Sequence, residues 1–249
     1  MQVKIFETAL EMGENAAAIG AEIIRNAIRD RGEAFIILAT GASQFTLLNA
    51  LVAEKDIDWS KCTIFHLDEY VGIDQTHPAS FVLYLKQRFL QQVPQVKEFV
   101  AIQGNTGDTN QEISRINSAI ENVSIDVAFV GIGENSHLAF NDPPADFETT
   151  APYIQVELDE KCRQQQTNEG WFPSLLDVPL WAISMSIRQI MKSTAIICSV
   201  PDLRKAEAVK HTIEGEVTNL FPASILQTHP NTWILLDQDA ASKLESEKH

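Results

Sequence analysis

A chain of 249 residues, 45% of them hydrophobic, can bury a substantial core. Its 34 acidic and 19 basic residues leave a formal net charge of -15, which repels polyanions. Nucleic acid and anionic membrane surfaces are therefore poor partners, and a small anionic ligand would need a local pocket of N–H groups and placed cations.

The opening segment has no basic stretch ahead of an apolar one, so no secretory signal is expected. No apolar run approaches the roughly 20 residues of a bilayer span. Cys62, Cys162 and Cys198 are far apart and fit neither a disulfide framework nor a zinc site; they suit a reducing compartment, and a cytoplasmic location is expected. The segment ENAAAIGAEIIRNAIRDRG carries apolar residues at helical spacing and ends at Gly32, a helix-closing residue. Buried strands are predicted at residues 34–40, 62–67, 125–133, 181–186, 194–200 and 232–237, with further helices at 43–54, 79–92, 110–121 and 202–213. The alternation predicts an α/β fold over residues 1–249: a single domain, doubly wound, with a mostly parallel sheet flanked by helices. Ligands of such sheets sit outside the carboxyl ends of the strands.

At the first of these ends, Thr40, Gly41, Ala42 and Ser43 form a tight turn into a helix. It reads either as an ordinary strand-to-helix turn or as a phosphate cradle of backbone N–H groups, and it lacks the G-K-[ST] ending of a P-loop. Asp68 and Glu69 follow the second strand. Two adjacent carboxylates there supply a general base if burial and mutual repulsion raise one of them, or else a solvated acidic turn. A metal site at His66, Asp68 and Glu69 is disfavoured, because alternate strand residues point to opposite faces. The third strand leads into VGIGENSHLAFNDPP, where His137 and Asp142 offer an imidazole with a carboxylate to orient it. Arg204 and Lys205 begin a later helix, where cations oppose the dipole; they read either as partners of an anion bound between them or as ordinary surface residues.

The ordered motifs ATGAS, FHLDEYVG, HPASF, GIGENSHLAFNDP, DLRKA and PASILQTHP together resemble the glucosamine-6-phosphate deaminase/isomerase family, whose fold is shared with 6-phosphogluconolactonases. The resemblance implies aldose-ketose isomerisation and deamination of an amino-sugar 6-phosphate, with no cofactor and no metal. It implies that Asp68 is the general base moving a proton between C2 and C1, that His137 opens the sugar ring, and that Asp142 holds His137. Thr40, Gly41, Ala42, Ser43 and Lys205 would take the phosphate. A sugar-lactone hydrolase, with His137 activating water, and a non-catalytic sugar-phosphate binder are the other readings; a homo-oligomer is open to any of them.

The chain departs from the family pattern at several points. Asn135 stands where deaminases carry an acid, and Ser136 where they carry a glycine. Asp142 replaces a glutamate, which leaves its carboxylate roughly 1.5 Å short unless the backbone shifts. The family's phosphate-binding arginine falls on Gln166, so Arg163, one helical turn earlier, or Arg188 is expected to substitute. Residues 138–160 contain no Lys or Arg, whereas regulated deaminases bind an allosteric sugar phosphate through basic residues after the histidine segment. Saturation curves are therefore expected to keep their shape when N-acetylglucosamine 6-phosphate is added; steady-state kinetics with and without it check this.

Overall fold

The computed structural model describes residues 1–245. Among these, ten strands follow in chain order: β1 (Gln2–Phe6), β2 (Ala34–Leu38), β3 (Cys62–His66), β4 (Asp68–Tyr70), β5 (Glu98–Val100), β6 (Val127–Val130), β7 (Tyr153–Glu157), β8 (Trp181–Met185), β9 (Ala195–Val200) and β10 (Thr232–Asp237). The helices are α1 (Ala9–Arg31), α2 (Phe45–Ala53), α3 (Phe81–Leu85, continued by a π turn over Lys86–Leu90), α4 (Thr109–Ile120), α5 (Glu160–Asn168), α6 (Ile187–Met191), α7 (Ala206–Glu214) and α8 (Gln238–Ala241). No helix among the described residues is long and apolar enough to cross a membrane.

Seven strands make one parallel sheet in the order β1-β10-β9-β6-β2-β3-β5. Its central strands are buried on both faces, and the period-two alternation of side chains sends each face to a different layer. Ile36, Leu38 and Phe129 pack with Met12, Ala16 and Ile24 of α1 on one side. Ile37, Val130 and Cys198 pack with Ile116 of α4 and Val209 of α7 on the other. α1 is bounded as its sequence indicates: the Thr8 side chain accepts from Glu11 N, and Gly32, at φ 83°, donates its N–H to Ile28 O. The chain winds outward from β2 to β3, and later from β6 to β9 on the opposite side. The neighbouring strands β2 and β6 thus flank the switch point, where a crevice opens at their carboxyl ends.

The doubly wound, mostly parallel sheet is present, with a modification. β4, β8 and β7 form a separate antiparallel sheet. The apolar run at 181–186, expected in the parallel sheet, is its central strand: a buried centre looks the same in both settings, because burial and not strand direction makes the run apolar. Asp68 and Glu69 lie in β4, not in a turn. β1, β4, β5 and β7 have no counterpart among the predicted strands: β1, β5 and β7 carry exposed polar residues, and β4 is only three residues long and begins with two acids.

α1 and α2 touch at Gly13, where an added Cβ would lie 2.5 Å from Thr46 Oγ1 and 2.7 Å from the backbone nitrogen of Leu47. A backbone neighbour cannot rotate away, so Gly13→Ala is expected to push the helices apart, lowering stability by about 1–3 kcal/mol. Denaturant titration checks it, and an unchanged midpoint would contradict the close approach.

Candidate active site

Four carboxyl-end segments of the parallel sheet converge on one pocket, lined among others by Thr40–Ser43 after β2, Asp68 after β3, Gly131–Gly133 and His137 after β6, and Lys205 after β9. The turn after β2 depends on Gly41 at φ 93°, and Tyr84 donates its hydroxyl to Gly41 O at 2.8 Å, steadying it. Lys205 is 4% exposed, and burial lowers its pKa while the nearby carboxylates of Glu169 and Glu134 oppose the shift.

The two adjacent acids separate because successive strand residues face opposite ways. Glu69 turns to the start of α3: its carboxylate accepts from Tyr70 N, Ser80 Oγ, Phe81 N and Val82 N at 2.7–3.2 Å. It is a buried structural cap. Asp68 turns to the pocket, where burial first, and the Glu69 charge second, raise its carboxyl well above the ordinary range. His66 is also accounted for structurally. Its Nε2 accepts from Ile102 N at 2.9 Å, and burial lowers its pKa to about 3, leaving a neutral ring.

His137 lies against Gly133, whose missing side chain makes room for the ring; a Cβ there would overlap it. Its Nδ1 is 3.1 Å from Asp142 Oδ1, so the shorter Asp142 does reach the imidazole. The approach lies outside hydrogen-bond alignment. Asn135 explains the arrangement. Its Nδ2 donates to Asp142 Oδ1 at 3.0 Å and to Asp159 Oδ2 at 3.3 Å, and its Oδ1 accepts from His137 N at 3.2 Å. An amide can bridge two carboxylates, which an acid at the same position would repel. Burial pushes the Asp142 carboxyl up, but His137, the Asn135 amide and Asp159 N–H outweigh it and hold it below its usual value. Ser136 takes the left-handed conformation at φ 70° that its family counterpart glycine adopts without cost.

Two predicted phosphate ligands are corrected. Arg163 is on α5, one turn from Gln166, but its Nη2 donates to Leu175 O at 2.6 Å and Val178 O at 3.2 Å: two carbonyls of an irregular loop have captured it. Arg188 is exposed on α6, with Nη1 3.3 Å from Glu148 O, because Ile187 and Ile190 turn that short helix's apolar side inward. Arg204 is exposed and closes on Asp202 at 2.7 Å, so the anion expected between Arg204 and Lys205 has only the lysine free to meet it. Of the pocket wall made by α5, the sequence singles out only position 166, as the place of the family's arginine, and not Gln165 or Glu169. Gln165 and Gln166 face the pocket from α5; Gln165 Oε1 accepts from Glu134 N, and Tyr70 donates its hydroxyl to Gln166 Oε1. Glu169 also lines it, its carboxylate accepting from Gln165 Nε2 and Trp171 Nε1. The available signal for α5 was Asp159, whose carboxylate caps it by accepting from Cys162 N.

Residues 7–234 match the family model for glucosamine-6-phosphate isomerases/6-phosphogluconolactonase. The chain is 37% identical to a glucosamine-6-phosphate deaminase of Lacticaseibacillus paracasei over 98% of its own length and 99% of the relative's. A solved monomeric glucosamine-6-phosphate deaminase superposes with a TM-score of 0.89 at 31% identity, covering 97% of this chain and 99% of that one. A 6-phosphogluconolactonase from Shewanella baltica, at 18% identity and TM-score 0.78 over 95% of this chain and 97% of its own, shares the fold. The chain belongs to the glucosamine-6-phosphate isomerase/6-phosphogluconolactonase family.

Replacing Asn135 by Asp would exchange the bridging donor for a third carboxylate. Asn135→Asp is expected to cost about 1–3 kcal/mol near pH 8, from two lost hydrogen bonds and added repulsion. The loss should shrink as the pH falls and the three acids protonate. Denaturation of both forms across pH measures this; equal stability at pH 8 would overturn the bridging role.

Proposed function

We propose that this enzyme converts glucosamine 6-phosphate, or a close amino-sugar relative, to the ketose 6-phosphate and ammonia, the net consumption of water placing it among the hydrolases. The observation that carries the reading is the pairing of a buried carboxyl with a carboxylate-backed imidazole around one pocket, Asp68 on one wall and His137 on another. The names of relatives matching nearly the whole chain support the same substrate class.

In this reading the sugar's phosphate enters the turn Thr40–Ser43 beside Lys205. The helix starting at Phe45 and the turn supply N–H groups, and the buried lysine supplies charge. His137 exchanges protons between the ring oxygen and the anomeric hydroxyl, opening the ring, and Asp142 balances the imidazolium formed in passing. Asp68 then takes the proton from C2 and delivers it to C1, giving an imine that water converts to ketone and ammonia. The raised pKa of Asp68 suits it to a base that must also return its proton. The three free cysteines support action in the cytoplasm.

Asp68→Asn keeps shape but removes the base. It is expected to lower kcat about 10²–10⁴-fold, followed as ammonia and ketose phosphate released from glucosamine 6-phosphate. Because the folded-state pKa of Asp68 is raised, the wild type loses stability as pH rises through it, and the variant should lose less. Retained turnover would remove the base assignment. Acid release from 6-phosphogluconolactone in its place would turn the reading toward the lactonases.

A further inference from the structure

α5 brings a third donor, a soft sulfur, to the pair of His137 and Asp142. One ring nitrogen of His137, a carboxylate oxygen of Asp142 and Sγ of Cys162 all lie within 4.8 Å of one another. Cys162 is a free thiol, and it is buried in the first turn of α5.

We propose that His137, Asp142 and Cys162 form a binding site for a thiophilic divalent cation of the zinc type, and that the bound ion arrests the enzyme by occupying the histidine. Three observations carry it. The first is spacing. Two light-atom ligands of a tetrahedral zinc lie about 3.3 Å apart and a sulfur ligand about 3.6 Å from either, given standard zinc–ligand lengths. His137 Nδ1 and Asp142 Oδ1 already stand at 3.1 Å, and the sulfur, within 4.8 Å of both, needs to close by at most about 1.2 Å. The second is an unused lone pair. His137 is 8% exposed, and its buried Nδ1 makes no aligned hydrogen bond although it points at Asp142. A nitrogen and a carboxylate oxygen that face each other without a shared proton on line are arranged as two ligands of one ion.

The third is a route. On the far side of Asp142 opens a cavity of about 550 Å³ whose walls include Asp142, Asp146, Glu157, Asp159 and Glu160. No Lys or Arg is among its described lining residues, so its field concentrates cations. The same basic-free stretch that is unsuited to an anionic effector is suited to a cationic one. The donor set selects the ion: thiolate and imidazole favour zinc, cobalt and their neighbours over magnesium or calcium. Binding forms the metal–sulfur bond, releases the thiol proton to solvent, and leaves the fourth tetrahedral position to water. With Nδ1 on the metal, the ring cannot be backed by the Asp142 carboxylate as an imidazolium, and ring opening stops.

Cobalt(II) added to the reduced, metal-free protein tests the site without reference to any reaction. One equivalent is expected to give a thiolate-to-cobalt charge-transfer band with tetrahedral ligand-field absorption. The band should vanish in Cys162→Ser and persist in Cys62→Ser and Cys198→Ser. Absence of the band in the wild type, or its survival in Cys162→Ser, would overturn the site. The inhibitory role rests on the proposed deamination and is read separately. Zinc should inhibit reversibly on chelation, and Cys162→Ser, compared with its own metal-free rate, should need about tenfold more zinc or above for half inhibition. A cobalt band without zinc inhibition would retain the site and remove its regulatory role, whereas failure of the deamination assay itself would leave the spectroscopic result standing.

Discussion

The amide of Asn135 is the fastening on which the site depends. It stands between Asp142 and Asp159, two carboxylates that would otherwise repel, and ties the loop after β6 to the first turn of α5. The tie is reinforced at both ends. Asp159 N donates to Asp142 Oδ2 at 3.1 Å, while the Asp159 side chain caps α5 through Cys162 N. From this junction the two halves of the pocket follow: His137 and its carboxylate on one side, Gln165 and Gln166 hanging from α5 on the other. An acid at position 135 suits a protein in which no second carboxylate waits opposite. Here Asp159 does, and the neutral donor is the residue that both can share.

A second constraint governs the charge at the bottom of the pocket. Asp68 and Glu69 are neighbours in sequence and both are buried, which is costly unless each charge finds partners. Strand geometry divides them. Glu69 collects four donors at the start of α3 and becomes part of the scaffold. Asp68 is left to the pocket, with its proton held more tightly than an exposed acid would hold it. Lys205 is the counterpart cation, kept in a buried wall where desolvation lowers its pKa. Both are arrangements that favour ligand chemistry over stability of the empty fold.

Much of this was legible in the residues, and the exceptions have physical causes. The central strands and α1 announce themselves because burial on both faces, or on one helical stripe, leaves a periodic trace. Edge strands β1 and β5 carry too many exposed residues to leave one. The two arginines were assigned by reach and charge alone, but a guanidinium goes to whichever acceptors lack partners. For Arg163 these were Leu175 O and Val178 O; for Arg188 the nearest was Glu148 O, outside the pocket. Position 135 looked like a lost charge, because its second partner lies 24 residues away.

The sequence by itself determined the layered α/β class, the strand ends that carry chemistry, and the types of residue at Thr40–Ser43, Asp68, His137 and Lys205, since these rest on local periodicity and on motifs within single loops. Only the tertiary structure decided which of two adjacent acids faces the pocket, that Asp142 reaches His137, that Asn135 serves two carboxylates, and that Cys162 joins them. The last two join the loop after β6 to α5, and the first two depend on how a strand faces and how that loop bends. The energy of each contact depends on distance and alignment in space, which spacing along the chain does not encode.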